Sequence, residues 1–148
     1  MQIRLGNRQD EGEIKHLVAA VLTEFGHQGD TASAELDLRN IDGNYMGRDG
    51  IFLVAEEEGR LLGLAGARRR DEETLELRHL VVAPAHRGKG IASRMLAIVA
   101  KFAGDLEYKT VAMPADRRLS GAGVLEGKGF ILTASGEAQL AVRSARAR

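Results

Sequence analysis

Apolar residues alternate with polar ones in some segments and recur every three to four residues in others, which predicts interleaved strands and helices. A first short strand is predicted at Gln2–Leu5, and a helix follows with Asp10 as its cap. A second short helix is predicted over residues 31–39, before a loop at residues 42–50 that is rich in turn-forming residues. The apolar face of the first helix comprises Ile14, Leu17, Val18, Val21 and Leu22.

The middle of the chain predicts three consecutive antiparallel strands, at residues 51–56, residues 60–68 and Thr74–Val82. Turn signals separate them, at Glu58-Gly59 and at residues 69–73. The pattern then predicts a helix over about residues 90–102, a strand at 108–113, a helix around 117–127 and a hairpin at 130–142. Residues 144–148 are predicted to be a frayed basic tail, so a single domain would span residues 1–143.

Composition narrows the classes of protein that fit this pattern. The 148 residues suit one domain with its own core, and the absence of cysteine excludes disulfides, thiolate metal ligands and an acyl-cysteine intermediate. Twenty-one basic and twenty-one acidic residues cancel, so neither nucleic acid nor an anionic membrane is an expected partner. No run is long and apolar enough to span a membrane, the N-terminus lacks the pattern of a signal peptide, and a cytoplasmic location without a metal site is expected.

The most informative segment lies between residues 77 and 96. An apolar strand stops at Pro84, and Arg87-Gly88-Lys89-Gly90-Ile91-Ala92 then opens an amphipathic helix. The first amides of a helix have no intrahelical acceptor and lie at the positive end of the helix dipole, so they can hold a diphosphate. Gly88 and Gly90 leave those amides accessible, and Arg87 and Lys89 add cationic side chains. The segment therefore predicts a phosphorylated cofactor.

The spacing of the motif indicates which cofactor. It matches neither the Gly-x-Gly-x-x-Gly of a dinucleotide fold nor the Gly-x-x-x-x-Gly-Lys-Ser/Thr of a P-loop. Arg87-x-x-Gly90-x-Ala92, preceded by Leu80-Val81-Val82-x-Pro84, resembles the acetyl-coenzyme A (acetyl-CoA) motif of the GNAT family of N-acetyltransferases. Gly127-Lys128-Gly129-Phe130 resembles the Gly-Phe that closes the last motif of that family. A glycine-rich turn formed by chance, or a nucleotide-binding protein of another fold, is the alternative.

The resemblance implies an α/β (α+β) fold with a mixed, mostly antiparallel sheet flanked by helices. The sheet would splay into a V between strands 74–82 and 108–113, with acetyl-CoA as co-substrate in the V and a monomeric or homodimeric state. The strand backbone at Leu80, Val81 and Val82 would pair with the pantetheine arm, and an amide there, that of Val82 in particular, would polarise the acetyl carbonyl. The predicted cofactor-binding residues are Leu80, Val81, Val82, Arg87, Gly88, Lys89, Gly90, Ile91 and Ala92.

Acetyl transfer to an amine also needs a group that takes a proton, because an alkylammonium does not attack a thioester. Glu76 aligns with the glutamate that some GNAT members use as general base. Strict alternation places it on the same face as Arg78, Leu80 and Val82, with His79 packed on the opposite face. The alternative for Glu76 is an ion pair with Arg78 or Arg68.

The family's general acid is a tyrosine five residues before the final Phe, and here that position is Leu125. Tyr108 starts a predicted strand away from the sulfur, so Ser120, a bound water or the departing ammonium proton would have to act instead. Arg118 stands where the family often has asparagine, and either contacts a phosphate or is a solvated helix residue.

Acceptor recognition is predicted from Phe25 and Tyr45, with packing at the core edge as the alternative for both. Asp37 and Glu56 are further candidates for acceptor binding. The alternative is that Asp37 lies on a helix surface and that Glu56 is a charge at the end of a strand. Two functions remain: direct acetyl transfer to a primary amine of a small molecule or peptide, and a catalytically weak acetyl-CoA-binding sensor or interaction module. The second is supported by the missing tyrosine.

Overall fold

The computed structural model describes residues 1–24, 38–47, 49–114, 125 and 127–143. Seven strands form one sheet in the order β1-β2-β3-β4-β5-β7-β6. Every neighbouring pair is antiparallel except β4 and β5, which are parallel. This is the mixed, mostly antiparallel sheet that was predicted. The strands are β1 (Gln2–Leu5), β2 (Ile51–Glu57), β3 (Arg60–Arg69), β4 (Thr74–Val82), β5 (Thr110–Met113), β6 (Ile131–Leu132) and β7 (Ala138–Ala141).

Two helices, α1 (Glu11–Glu24) and α2 (Ile91–Asp105), cover opposite faces of the sheet. The alternation along β2 shows this, since Phe52 and Val54 pack with α1 whereas Leu53 and Ala55 pack with α2. We call the two surfaces the α1 face and the α2 face. The helix residues buried on the α1 face are Ile14, Val18, Val21 and Leu22, and those on the α2 face include Ile91, Met95, Leu96 and Val99. None of the helices in the described ranges is long and apolar enough to cross a membrane.

The N-terminal cap of the first helix differs from the prediction. A 3₁₀ turn at Arg8–Asp10 precedes α1, and Asn7 caps this turn through its side-chain oxygen, which accepts a hydrogen bond from Gln9 N at 2.8 Å. Asp10, the predicted cap, is the last residue of the turn and directly precedes α1. The Asp10 carboxylate accepts from the Asn7 amide at 3.0 Å and from Arg4 at 2.8 Å. Asp10 therefore completes a capping box three residues later and ties β1 to the helix.

The predicted loop at residues 42–50 contains a π-helical turn at Asp42–Met46. Tyr45 on this turn is completely buried and meets the Phe52 ring edge-on, with the ring centroids 5.1 Å apart. Because Tyr45 belongs to the same buried cluster as Phe52 and the apolar residues of α1, the turn is part of the α1-face core. The predicted helices at 31–39 and 117–127 lie mostly outside the described residues.

The predicted ends of the strands agree with those in the structure to within one or two residues, and the largest difference is at β5. The prediction began this strand at residue 108, but pairing starts at Thr110. Tyr108 N instead donates to Ala103 O at 2.9 Å and closes the end of α2, and Lys109 N donates to Glu73 O at 2.8 Å. The turn between β2 and β3 is the predicted one, with Glu58 and Gly59 both at positive φ, 52° and 80°.

Candidate active site at the split between two parallel strands

The sheet opens between β4 and β5. These strands pair only at their beginnings, at Thr74 with Thr110, Leu75 with Val111 and Glu76 with Ala112. β4 then continues to Val82, and within the described residues no strand pairs with residues 77–82 on that side. The predicted splay is therefore present, and it leaves one edge of β4 open above Glu76.

The ladder geometry shows which backbone groups face the split. On the closed side, Ala83 N donates to Leu62 O at 2.8 Å, next to the pair Gly63 and Val82. Because successive residues of an antiparallel strand direct their N–H and C=O groups to opposite sides, Val81 faces β3 and Val82 faces the split. The Leu80 and Val81 side chains are buried, so what β4 offers here is backbone. The predicted role for the Val82 amide has the orientation that it requires.

A β-bulge at Arg78 changes the faces of β4. Gly66 pairs with His79 and Ala67 pairs with Leu77, so Arg78 is the extra residue on β4. Leu77 and Leu80 both pack on the α2 face, whereas His79 lies against Tyr45 on the α1 face, with ring centroids 6.3 Å apart.

The predicted alternation was therefore wrong beyond Arg78. Glu76 shares the α1 face with His79, and Leu80 and Val82 face the other way. Strict period two fails because the bulge adds one residue between two in-register pairs. The expectation that His79 is a packed strand histidine agrees with its burial, which leaves 5 % of it exposed.

Glu76 is held between two arginines. Arg70 Nε donates to Glu76 Oε1 at 2.7 Å, and Arg78 Nη1 donates to Glu76 Oε2. Only 14 % of the Glu76 side chain is exposed. The predicted alternative of an ion pair with Arg78 is thus observed. Arg68, the other arginine considered, lies directly opposite Glu76 on β3, with its guanidinium 6.0 Å from the centre of the Tyr45 ring. The catalytic role of Glu76 stays a prediction.

Arg70 extends this ion pair to the C-terminal hairpin. Its Nη2 donates to Glu137 Oε1 at 2.6 Å, and Gln139 Nε2 donates to Glu137 Oε2 at 2.8 Å. The hydrogen bond from Arg70 is the main cause that holds the pKa of the Glu137 carboxyl below its usual range. Sequence analysis missed this contact, because Arg70 and Glu137 are 67 residues apart and Arg70 falls in the turn predicted at residues 69–73.

The segment between β4 and α2 presents unpaired amides. Gly90 precedes α2 with a φ of 82°, and no side chain caps the helix. The first hydrogen bond of the helix runs from Arg94 N to Gly90 O at 3.0 Å, so the amides of Ile91, Ala92 and Ser93 have no acceptor within the helix.

The space in front of these amides is open. A Cβ added at Gly88 or Gly90 would meet nothing within 4 Å, and Lys89 between them is exposed. Both glycines have the left-handed conformation that other residues rarely adopt, with φ of 79° and 82°. An acyl-CoA diphosphate fits such a concave row of free N–H groups at a helix N-terminus.

Arg87, predicted as a cationic side chain for the cofactor, donates hydrogen bonds within the protein to a backbone carbonyl and to a carboxylate. Its Nε donates to Val82 O at 3.0 Å, and its Nη1 and Nη2 donate to Glu24 Oε2 and Oε1 at 2.7 and 2.8 Å. The pair raises the pKa of Arg87 and lowers the pKa of Glu24, in each case mainly through this hydrogen bonding. Sequence analysis missed Glu24, which lies 63 residues earlier in the chain.

The sequence model of the acetyltransferase (GNAT) family matches residues 14–119. The chain belongs to the GNAT family. N-acetyltransferase 8B of Homo sapiens is 36 % identical to it over 101 residues, 64 % of this chain and 44 % of that protein. The chain therefore spans less than half the length of the curated relatives that it matches first.

Solved GNAT structures share the fold at low sequence identity. An acetyltransferase of the GNAT family from Staphylococcus aureus Mu50 has a TM-score of 0.87 at 20 % identity and covers 96 % of this chain and 99 % of its own. A GNAT family acetyltransferase from Brucella melitensis, solved in complex with acetyl-CoA, has a TM-score of 0.72 at 20 % identity, covering 95 % and 86 %. These likenesses confirm the predicted fold class.

The position of the usual GNAT tyrosine is inside the core of this protein. Leu125 is 2 % exposed on the α2 face, and its carbonyl accepts hydrogen bonds from Lys128 N at 3.1 Å and Phe130 N at 3.0 Å. Tyr108 is also buried, and its hydroxyl donates to Asp49 O at 2.9 Å. Desolvation raises the pKa of Tyr108 above its ordinary value, and the residue lies beside the start of β4, far from Val82.

The remaining predicted site residues divide into three groups. Tyr45 is enclosed in the α1-face core, which corresponds to its packing alternative, and acceptor binding by this residue stays a prediction. Phe25, Asp37, Arg118 and Ser120 lie outside the described residues. Glu56 pairs with Arg4 at 3.1 Å, at the edge of the sheet that β1 closes.

Within the described ranges, no group of three or more His, Asp or Glu side chains is arranged to hold a metal ion.

Proposed function

We propose that the protein is an N-acetyltransferase that moves the acetyl group of acetyl-CoA directly to a primary amine of a small molecule or peptide. One observation carries the proposal. The open edge of β4 leads, through a short 3₁₀ turn at Pro84–His86, to the glycine segment and the first amides of α2. Strand-like pairing and a diphosphate site therefore lie next to each other along the chain.

The cofactor-binding residues act mainly through their backbone. The Leu80 N–H and C=O groups and the Val82 N–H face the split, where the amide groups of a pantetheine arm can pair with them. The Val82 carbonyl already accepts a hydrogen bond from Arg87. The amides around Gly88 and Gly90, together with Lys89, hold the diphosphate. The buried side chain of Ile91 and the partly buried one of Ala92 fix the start of α2 against the core, so these amides are held in place before binding.

The catalytic roles follow from what the reaction requires. Acetyl-CoA supplies an activated thioester, and the oxygen of its carbonyl gains negative charge when the amine nitrogen attacks. The Val82 N–H, fixed in the split, stabilises that charge without reorganisation. Glu76 lies on the α1 face with both carboxylate oxygens already bound by arginines. Such a carboxylate is suited to orient a water or the incoming ammonium group as the proton leaves, and the chain has no cysteine to form an acyl intermediate.

A catalytically weak acetyl-CoA-binding sensor or interaction module is the second candidate. A specific observation favours it: Leu125 is packed in the core where GNAT members often carry a tyrosine that protonates the leaving thiolate. In that case the site would bind acetyl-CoA and transfer the acetyl group slowly. The two candidates share the binding site and differ only in turnover.

Turnover with acceptor amines separates the candidates. The purified protein is titrated with acetyl-CoA by calorimetry, and thiol release is then followed with polyamines, aminoglycosides, amino acids and N-terminal peptides. We expect acceptor-dependent thiol release well above the rate without acceptor. Binding without such release would leave the sensor as the function. Failure to bind acetyl-CoA, or equal competition by ATP or NAD, would exclude both candidates.

The partners and location follow the same proposal. The acceptor is an amine, and nucleic acid and membrane are not partners, because acidic and basic residues balance over the whole chain. A cytoplasmic location and a monomeric or homodimeric state stay predictions.

A further inference from the structure

The Arg87–Glu24 pair connects the diphosphate segment to the opposite side of the fold. Arg87 immediately precedes Gly88, and Glu24 is the last residue of α1. We propose that Glu24 is a positioning residue for acetyl-CoA, which acts through Arg87 to hold the backbone of residues 88–93 in its binding conformation. The inference rests on the proposed function, because it concerns the same acetyl-CoA site.

The segment needs such a restraint. Gly88 and Gly90 are both at positive φ and are both exposed, so few side-chain contacts hold the backbone between them. Ordering glycine-rich backbone costs more entropy than ordering other residues, and a ligand that has to order it loses affinity. Arg87 is fixed at three nitrogens, with Nε on the last carbonyl of β4 and Nη1 and Nη2 on Glu24. The start of the segment is thereby tied to both β4 and α1.

The position of Glu24 argues against a role in stabilising its own helix. A carboxylate at a helix C-terminus faces the negative end of the helix dipole, which disfavours it. The last turn of α1 contains no basic residue that would compensate. Among the described residues, Arg87 holds the Glu24 side chain through a bidentate contact that spans 63 residues of sequence.

The same geometry argues against Arg87 as a direct phosphate ligand. Three guanidinium nitrogens of Arg87 already donate to Glu24 and Val82, and the Glu24 carboxylate offsets part of the positive charge. A direct contact with a diphosphate would therefore gain less from Arg87 than from a cation without an acidic partner. The two roles predict opposite signs for one substitution: removing the Glu24 charge should weaken acetyl-CoA binding if Arg87 positions the segment, and strengthen it if Arg87 binds phosphate directly.

Glu24→Gln tests the sign. Removal of a negative charge near an anionic ligand favours binding by itself, so a loss of affinity can only come from the lost restraint. We expect the Kd of acetyl-CoA to rise about two- to fivefold, the size typical of an exposed ion pair. The Kd or KM of S-acetylpantetheine, which lacks the diphosphate, should stay unchanged. Equal or tighter binding of acetyl-CoA by the variant overturns the proposal.

Two further variants guard against a merely structural effect. Arg87→Glu weakens binding, and adding Glu24→Arg to it should recover part of the affinity because the ion pair is restored in reverse. No recovery in the double variant overturns the proposal. Asp105→Asn is the matched control, since Asp105 is also a carboxylate at a helix C-terminus, paired with Lys101 at 3.2 Å but on the other helix. If the wild-type protein does not bind acetyl-CoA, the proposed function fails instead.

Discussion

At the scale of single residues, the environment of Glu76 decides what its carboxylate can do. Two guanidinium groups approach it, Arg70 at 2.7 Å on one oxygen and Arg78 on the other. An ionised carboxylate accepts about four hydrogen bonds, so the two arginine contacts do not exhaust its capacity. A carboxylate held in this way keeps a defined orientation on the α1 face, which suits the proposed role of positioning water or ammonium.

Glu76→Gln should lower kcat by about 100-fold, the lower range for loss of an acid–base group, because the amide cannot accept a proton. The Kd of acetyl-CoA should change less than twofold, since the Val82 amide and the α2 N-terminus are untouched. Steady-state kinetics and calorimetry measure the two effects. Glu137→Gln is the matched control, because it also removes a carboxylate from Arg70 but lies on the hairpin. A parallel loss of acetyl-CoA affinity in Glu76→Gln would identify Glu76 as structural.

Leu125 occupies the position at which GNAT members often carry a tyrosine. The motif spacing alone located the position where a GNAT tyrosine is absent, and the structure adds that Leu125 packs in the α2-face core. In the proposed reaction, the thiolate is therefore protonated by another group or leaves as the anion.

At the scale of elements, the start of α2 is the part of the site that the sequence predicted best. Its features are local: Pro84 ends the strand, Gly88 and Gly90 adopt positive φ, and the first amides of the helix have no acceptor within it. Each feature depends on residue type and spacing within a few positions, which is why the sequence predicted the motif correctly.

Gly90→Ala should strain the backbone at the start of α2 without blocking the proposed diphosphate site with a side chain. The φ of 82° costs an alanine about 1 kcal/mol or more, whereas its Cβ would meet nothing within 4 Å. We expect acetyl-CoA to bind about fivefold more weakly, because the segment gives up this conformation to relieve the strain. Gly12→Ala in α1 is the control, since it also has open space and no positive φ. Calorimetry that shows equal Kd values for both variants would contradict the expectation.

The bulge at Arg78 is the element that sequence patterns missed. Alternation correctly indicated that Glu76 and Leu77 face opposite ways, but one extra residue places His79 with Glu76 and Leu80 with Leu77. Nothing in the residues of β4 marks this position, because the bulge depends on the register with β3, where Gly66 and Ala67 pair across it.

At the scale of the whole molecule, a cluster of charges joins β1, β2 and the start of α1. Arg4 donates to Asp10 at 2.8 Å and to Glu56 at 3.1 Å. These hydrogen bonds lower the pKa of both carboxyls in the folded protein. In the unfolded chain the pKa values return to their ordinary range, so the unfolded chain binds more protons and folding loses stability as the pH falls.

Asp10→Asn should therefore destabilise the protein by about 1 kcal/mol near pH 7, after allowance for solvent screening. The difference from the wild type should shrink as the pH falls below about 4, where the Asp10 carboxyl is protonated on unfolding and its contribution is lost. Urea unfolding at several pH values measures this. Glu72→Gln, an exposed carboxylate at the β3–β4 turn, is the control. A difference that persists unchanged at low pH would contradict the linkage.

The sequence by itself determined the features that depend on neighbours in the chain. These are the strands and helices, the hairpin at Glu58-Gly59, the helix N-terminus with its two glycines, and the missing tyrosine at Leu125. Tertiary structure alone decided which distant groups meet: the bulge that turns His79 toward Tyr45, and the contacts of Glu76 with Arg70 and of Arg87 with Glu24. The physical reason is that backbone propensity and capping are local, whereas register and ion pairing are selected by packing between segments far apart in the chain.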